Sequence, residues 1–239
     1  MKEVQNNNDN PFALSIGDLM AALLLIFVLL LAATLLRLEN IIETQTTVAE
    51  DYLATKENLI EALKEEFSEE FEKWGAELVE EELLIRFNQN DLIDSKGPKF
   101  FWGDGDWELT EDHVEILSNF FPRYIEVLTR EEFKDEILEI RIEGHTTNKW
   151  SSASEDSYLN NMKLSQDRTR SVLNFGLTTI LNDTQRLWCQ SRITANGLSF
   201  SRLLNKEDPG SAENRRVEFR IITNAEKQID KILKLGKTE

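Results

Sequence analysis

The chain has 239 residues, 44 Asp and Glu against 27 Lys and Arg, and a formal charge of −17. That length allows one membrane segment, a connector and one soluble domain of ordinary size. The acidic balance argues against direct nucleic acid binding, whose affinity comes from neutralising phosphates with basic residues, and a lone cysteine, Cys189, excludes an intrachain disulfide.

Residues 1–10 are polar and nearly neutral and read as a short tail. Residues 11–36 carry one charge, Asp18, and from Leu19 to Leu36 there is none. An 18-residue helix at about 1.5 Å per residue spans about 27 Å, close to a hydrocarbon core of about 30 Å. The run is too long for a signal peptide, and Leu36-Arg37-Leu38-Glu39 is a poor cleavage site, so an uncleaved transmembrane anchor is expected. Lys2 and Arg37 flank it, and the positive-inside rule barely decides its orientation. Two readings of Asp18 stand level on the residues alone. An acid inside a membrane helix is a functional-site hypothesis by default. Alternatively, Ser15-Ile16-Gly17-Asp18 is a capping box, with Ser15 as N-cap and the acid at the interface.

Residues 37–79 read as a helical linker. Leu38, Ile41, Gln45, Val48 and Tyr52 alternate at spacings of three and four, a heptad seam that continues less regularly through Leu59, Leu63, Phe67, Phe71 and Trp74. Pairing with a second copy is expected, because the stripe begins at the membrane exit. Packing on the chain's own domain is the alternative.

A domain is expected over 80–223. It opens with a strand at Leu83–Phe87 and a long loop over 88–108. Thr110 caps a helix whose apolar face is Ile116, Leu117, Phe120, Phe121 and Ile125, with His113 on its surface. A strand alternates over Ile137–Glu143. A polar loop over 144–156 leads to one helix from Ser157 to Asn182. Short strands follow at Arg192–Ala195 and Arg216–Ile222, with a turn or short helix at Ser199–Leu204 between them. A last helix, Ala225–Leu235, lies in a 224–239 tail. The order βαβαβ–β implies an α+β fold with a small mixed sheet. Cys189 sits in an apolar setting and reads as core. His113 and His145 are the two histidines, far apart in sequence, so no catalytic constellation is evident and no enzyme is expected.

Three stretches are informative together: Ile142-Glu143-Gly144-His145-Thr146-Thr147, then Asn161-x-x-Leu164-Ser165-x-x-Arg168, then Asn214-Arg215-Arg216-Val217-Glu218. As a set they resemble the OmpA-like peptidoglycan-binding domain, with its G-H-T-D loop, N-x-x-L-S-x-x-R-A helix and N-R-R-V-E strand start. Phe101-Trp102 through Leu109-Thr110 is similar to that family's entry to its first helix. The resemblance covers roughly residues 83–222. It implies a wall-binding site at Thr146, Thr147, Asn148, Asn161, Leu164, Arg168 and Arg215, with Arg216 holding the loop in place. A guanidinium such as Arg168 takes a carboxylate bidentately. At the start of a helix it would share the anion with free backbone N–H groups. Without the family match, a salt bridge is the better reading of Arg168. Where the family has an Asp that pairs with the ligand's amine, this chain has Thr147, so binding is expected to weaken or to shift to another stem peptide unless Glu155 or Asp156 fills the place.

One membrane helix with an acid near its start, a helical linker and this domain resemble the MotB family of stator subunits, and Asp18-Leu19-Met20-Ala21-Ala22 is similar to the stretch around that family's ion-carrying aspartate. Among MotB-like proteins, the short non-basic tail and acidic balance look most like the B subunit of the Zorya anti-phage defence system. The resemblance implies a homodimer, a multi-pass MotA-like (ZorA-type) partner forming a pentamer around it, and a single-pass inner-membrane location with the C-terminal domain periplasmic. It implies no cofactor, with H+ or Na+ as the transported ion. A flagellar stator subunit and a passive tether from membrane to wall are the alternatives.

Overall fold

The computed structural model describes residues 11–88, 98–150, 156–180 and 182–224, except the side chains of 11–14, 44, 45, 48, 49, 51 and 52. The expected N-terminal tail, the helix from Ala225, Glu155 and the seam side chains Gln45, Val48 and Tyr52 lie outside the described residues. The chain forms two compact units, Met1–Glu50 and Asp51–Glu239.

The first unit holds the N-terminal part of helix α1 (Pro11–Trp74). Proline suits the first helical position, since its missing N–H would have no partner there. Ser15 and Asp18 therefore lie inside the helix, and Ser15 is not its N-cap, which overturns the capping-box reading. Ser15–Glu43 has a mean hydropathy of 3.0 and is long and apolar enough to cross a membrane. Its side chains, including Leu19, Leu23, Phe27 and Leu30, are exposed, as a lipid-facing helix requires. Thr34 donates its hydroxyl to the Leu31 carbonyl at 2.8 Å, so its polar group is satisfied within the helix.

In the second unit the end of α1 belongs to the domain core. Leu59, Leu63, Phe67 and Trp74 are all buried, and the Phe67 ring lies 5.3 Å from that of Phe120. This corrects the expectation of a pairing linker out to residue 79: from Leu59 onward the stripe is covered by its own domain. Arg123 fixes the contact by reaching Glu66 and Glu70 of α1. Leu38 and Ile41 remain exposed.

Gly75, at φ +62, ends α1 in the left-handed region that glycine enters without strain. The chain then forms β1 (Ala76–Val79), which sequence reasoning had assigned to the linker, and β2 (Leu84–Asn88). Helix α2 (Glu111–Leu128), strand β3 (Ile137–His145) and helix α3 (Ser157–Thr179) follow. The expected single helix to Asn182 instead breaks at Ile180. Asn182 caps a separate α4 (Asp183–Arg192), accepting from the N–H groups of Thr184 and Gln185. Strand β4 (Ile193–Gly197) and β5 (Arg216–Thr223) complete the sheet. Ser199–Leu204 is turn and bend, without helix.

The sheet order is β1-β2-β5-β3-β4, with only β3 and β4 parallel. Strand alternation sends Val217, Phe219 and Ile221 of β5 into the core, and places Arg216, Glu218 and Arg220 on the other face. There Glu218 and Glu143 meet Arg86, Arg216 and Arg220 in ion pairs of 2.7–3.5 Å. Cys189 is buried in α4, as expected. Helix α3 lies so close to β4 that a Cβ on Gly197 would fall 2.5 Å from the Gln166 backbone nitrogen. That approach holds α3, and with it Arg168, at the sheet edge.

Candidate functional site

Arg168 organises the one end of the domain where the expected site residues meet. It lies in the middle of α3, about three turns from Ser157, and not at a helix start, so no free N–H groups share its ligand. The residue is nearly buried, at 3 % exposure. Nε donates to the Asp106 carbonyl at 2.7 Å and Nη2 to the Gly103 carbonyl at 2.9 Å. Burial, helped by the charge of Arg215, lowers its pKa to about 10, so it stays protonated at neutral pH. Nη1 makes no hydrogen bond among the described residues.

The cleft beside it has a volume of about 480 Å³ and is bordered by three loops and α3. Of the residues that the motif set names, Thr146, Thr147, Asn161, Leu164, Arg168 and Arg215 line it. Asn148 does not. It is exposed, and its N–H donates to the Pro209 carbonyl at 3.2 Å. Asn161 supports the site by tying the preceding loop to α3, donating to the carbonyls of Ser157 (2.9 Å) and Lys149 (3.4 Å). Arg215 reaches across to Asp104, Nη1 to Oδ1 at 3.5 Å, and lies over the Phe101 ring. Among the described residues, two polar atoms at the site are buried without a partner, Thr146 Oγ1 and Arg215 Nε. Asp104, Lys149 and Trp150 also line the cleft, although no periodic pattern in the sequence marks them.

Two neighbouring residues were misplaced or overlooked by sequence reasoning. His113, expected on a helix surface, is fully buried. Its Nδ1 meets the Thr110 hydroxyl at 2.6 Å, closing the α2 cap. Its ring stacks on Trp102 at 4.0 Å. Burial, reinforced by the Arg168 charge, pushes its pKa down to about 4, so this imidazole is neutral at pH 7. Trp102 lies between His113 and Arg168, and a Trp near a predicted loop gives no signal of that stack.

Arg216 is architectural, as expected. It is buried, pairs with Glu218 at 2.7 Å and donates to the carbonyls of Asn214 and Arg202. Asn214 likewise pins the loop, accepting from Asn205 N–H and donating to the Asn205 and Asp208 carbonyls. Glu143, His145 and Glu218 converge in a way that would suit a metal ion, yet both carboxylates already take guanidinium donors. Burial alone would raise the Glu218 carboxyl, but His145 and Arg216 outweigh it and hold it well below the usual carboxylate range. A carboxylate so compensated is part of the fold rather than a vacant ligand.

A mixed α+β domain with one cationic cleft, in a chain that also carries one membrane-length apolar helix, is the class of protein that this fold and site define. No protein-family model matches the chain. Over 237 residues it is 35% identical to the Zorya protein ZorB of Escherichia coli, covering 96% of this chain and 95% of that protein. The chain belongs to the ZorB family. Among solved structures it is similar to a MotB-like protein from Desulfovibrio vulgaris (21% identity, TM-score 0.48, 75% of this chain and 99% of that one). It is also similar to the periplasmic domain of Helicobacter pylori MotB (14% identity, TM-score 0.42, 65% and 87%).

Proposed function

We propose that this protein is a non-enzymatic, stator-like anchor subunit of an inner-membrane Zorya defence complex. In this reading Asp18 carries a cation, H+ or Na+, while the periplasmic domain grips peptidoglycan. The observation that carries it is the match to ZorB along nearly the whole chain, membrane helix included. Two features support the finer points. Asp18 sits within an apolar helix and is not used as a cap; an acid there costs free energy that a structural role does not repay. The cleft holds Arg168 ready for a carboxylate. The chain works as a pair inside a multi-pass MotA-like partner, with its N-terminus cytoplasmic.

The test is phage protection in cells that carry the partner subunits. Asp18→Asn is expected to abolish protection while the protein remains in the membrane and on purified sacculi. Protection equal to wild type would defeat the ion-carrying role. Arg168→Ala is expected to lower sacculus retention, and unchanged retention would move the wall site elsewhere.

A further inference from the structure

We infer that the cleft reads the carboxylate end of a wall stem peptide and ignores the adjacent amine, so that it accepts stems whose amine is acylated, as it is in a cross-link. This rests on the wall-binding reading above. Among the described lining residues, Lys149, Arg168 and Arg215 are cationic and Asp104 is the one acid. The Asp104 carboxylate already faces Arg215 at 3.5 Å. Among the described lining residues an incoming ammonium would therefore meet a surplus of positive charge. Thr147, which also lines the cleft, is neutral.

The unmatched atoms of the site point the same way. Arg215 Nε is buried and donates to nothing. The Thr146 hydroxyl is buried without a partner on a residue that is 3 % exposed. Arg168, held by two backbone carbonyls, lines the same cleft. Buried donors left without acceptors carry a desolvation penalty, and an anionic ligand relieves it at Thr146 and Arg215. Because Arg168 is fixed beforehand, little conformational entropy is lost when that ligand arrives.

Calorimetric titration of the full chain in detergent tests this with three synthetic stem peptides ending in diaminopimelate: unmodified, N-acetylated at the terminal amine, and amidated at the adjoining carboxyl. The acetylated peptide is expected to bind at least as well as the unmodified one, and the amidated peptide about tenfold more weakly or worse. Arg215→Gln is expected to weaken the unmodified and acetylated peptides alike. Weaker binding of the acetylated than of the unmodified peptide overturns the inference, as does amidation without effect. Sedimentation with purified sacculi separates the two levels. A chain that sediments with sacculi yet binds none of the peptides overturns this inference alone. A chain that does not sediment with them overturns the wall-binding reading as well.

Discussion

The Arg168 guanidinium carbon lies 5.3 Å from the centre of the Trp102 ring, and the Trp102 indole N–H donates to the Glu108 carbonyl at 2.8 Å. Trp102 is fully buried, so it presents a fixed aromatic face to a cation that is itself tethered to Gly103 and Asp106. The loop over 101–108 and the arginine of α3 thus hold each other. Trp102→Phe keeps a ring but removes the indole donor and weakens the cation–π contact. It is expected to cost about 1 kcal/mol of domain stability and to reduce sacculus retention more than that loss explains, because Arg168 is less well held. Urea midpoints and retention measured on the same preparation check both.

Adjacent residues give a sharper contrast. Arg215 lines the cleft, while Arg216 is buried on the charged face of the sheet with Glu218, the Asn214 carbonyl and the Arg202 carbonyl as partners. Arg216→Ala leaves Glu218 without one of its guanidiniums and frees two buried carbonyls, and is expected to destabilise the domain by about 3–5 kcal/mol. Arg215→Ala is expected to change stability by about 0.5 kcal/mol or less, since its one ion pair is with a solvent-exposed carboxylate, yet to weaken wall binding. Thermal melts and sacculus binding of the two variants should therefore rank in opposite orders.

How much of this was legible beforehand follows from what each element depends on. Strand β5 and the face of α2 were readable because Val217, Phe219 and Ile221, and Ile116, Phe120 and Phe121, repeat at the period of their own element. The cleft was readable through Arg168, Arg215 and Thr146 because a motif set named them. Strand β1 was not: Ala76-Glu77-Leu78-Val79 is too short to show a period, and it pairs because the turn over 80–83, with Leu83 at φ +50, folds β2 back onto it. Helix α4 was missed because Asp183–Arg192 is short and its one buried side chain is Cys189, so no apolar period marks it, and only the Asn182 cap signals its start. His113 was misplaced because helix periodicity does not show that a preceding loop, carrying Phe100 and Trp102, folds back over that face.

His113 also sets a pH dependence. Its pKa falls from an ordinary 6.5 to about 4, through burial first and the Arg168 charge second, opposed by Asp112. The folded domain therefore resists a proton that the unfolded chain accepts below pH 6.5. Stability from this group is intact at neutral pH, declines as pH falls from 6.5 to 4, and stops declining below that, a total of about 3 kcal/mol. His145, lowered by burial, adds in the same direction. His113→Gln is expected to remove the first share and leave the second, giving a shallower loss. Urea unfolding at pH 7, 5.5 and 4.5, followed by tryptophan fluorescence, reads the difference; identical slopes in both proteins would mean that His113 is not kept neutral.

The last prediction concerns the two parts of α1, which the stripe of apolar residues had joined into one seam. Phe67 is fully buried and packs on Phe71, Trp74 and Phe120, with the Arg123 guanidinium over its ring. Phe67→Ala empties part of that cluster and is expected to cost about 3–5 kcal/mol. Leu38 and Ile41 are exposed within the apolar stretch and contribute nothing to the domain core, so Leu38→Ala should leave the unfolding midpoint unchanged. If two copies pair as proposed, Leu38 lies on the part of the stripe that the domain leaves uncovered. Leu38→Cys in membranes is then expected to form a disulfide-linked dimer on mild oxidation, with the native Cys189 buried and silent. An exposed helix position that stays monomeric under those conditions would place the pairing surface on another face of α1.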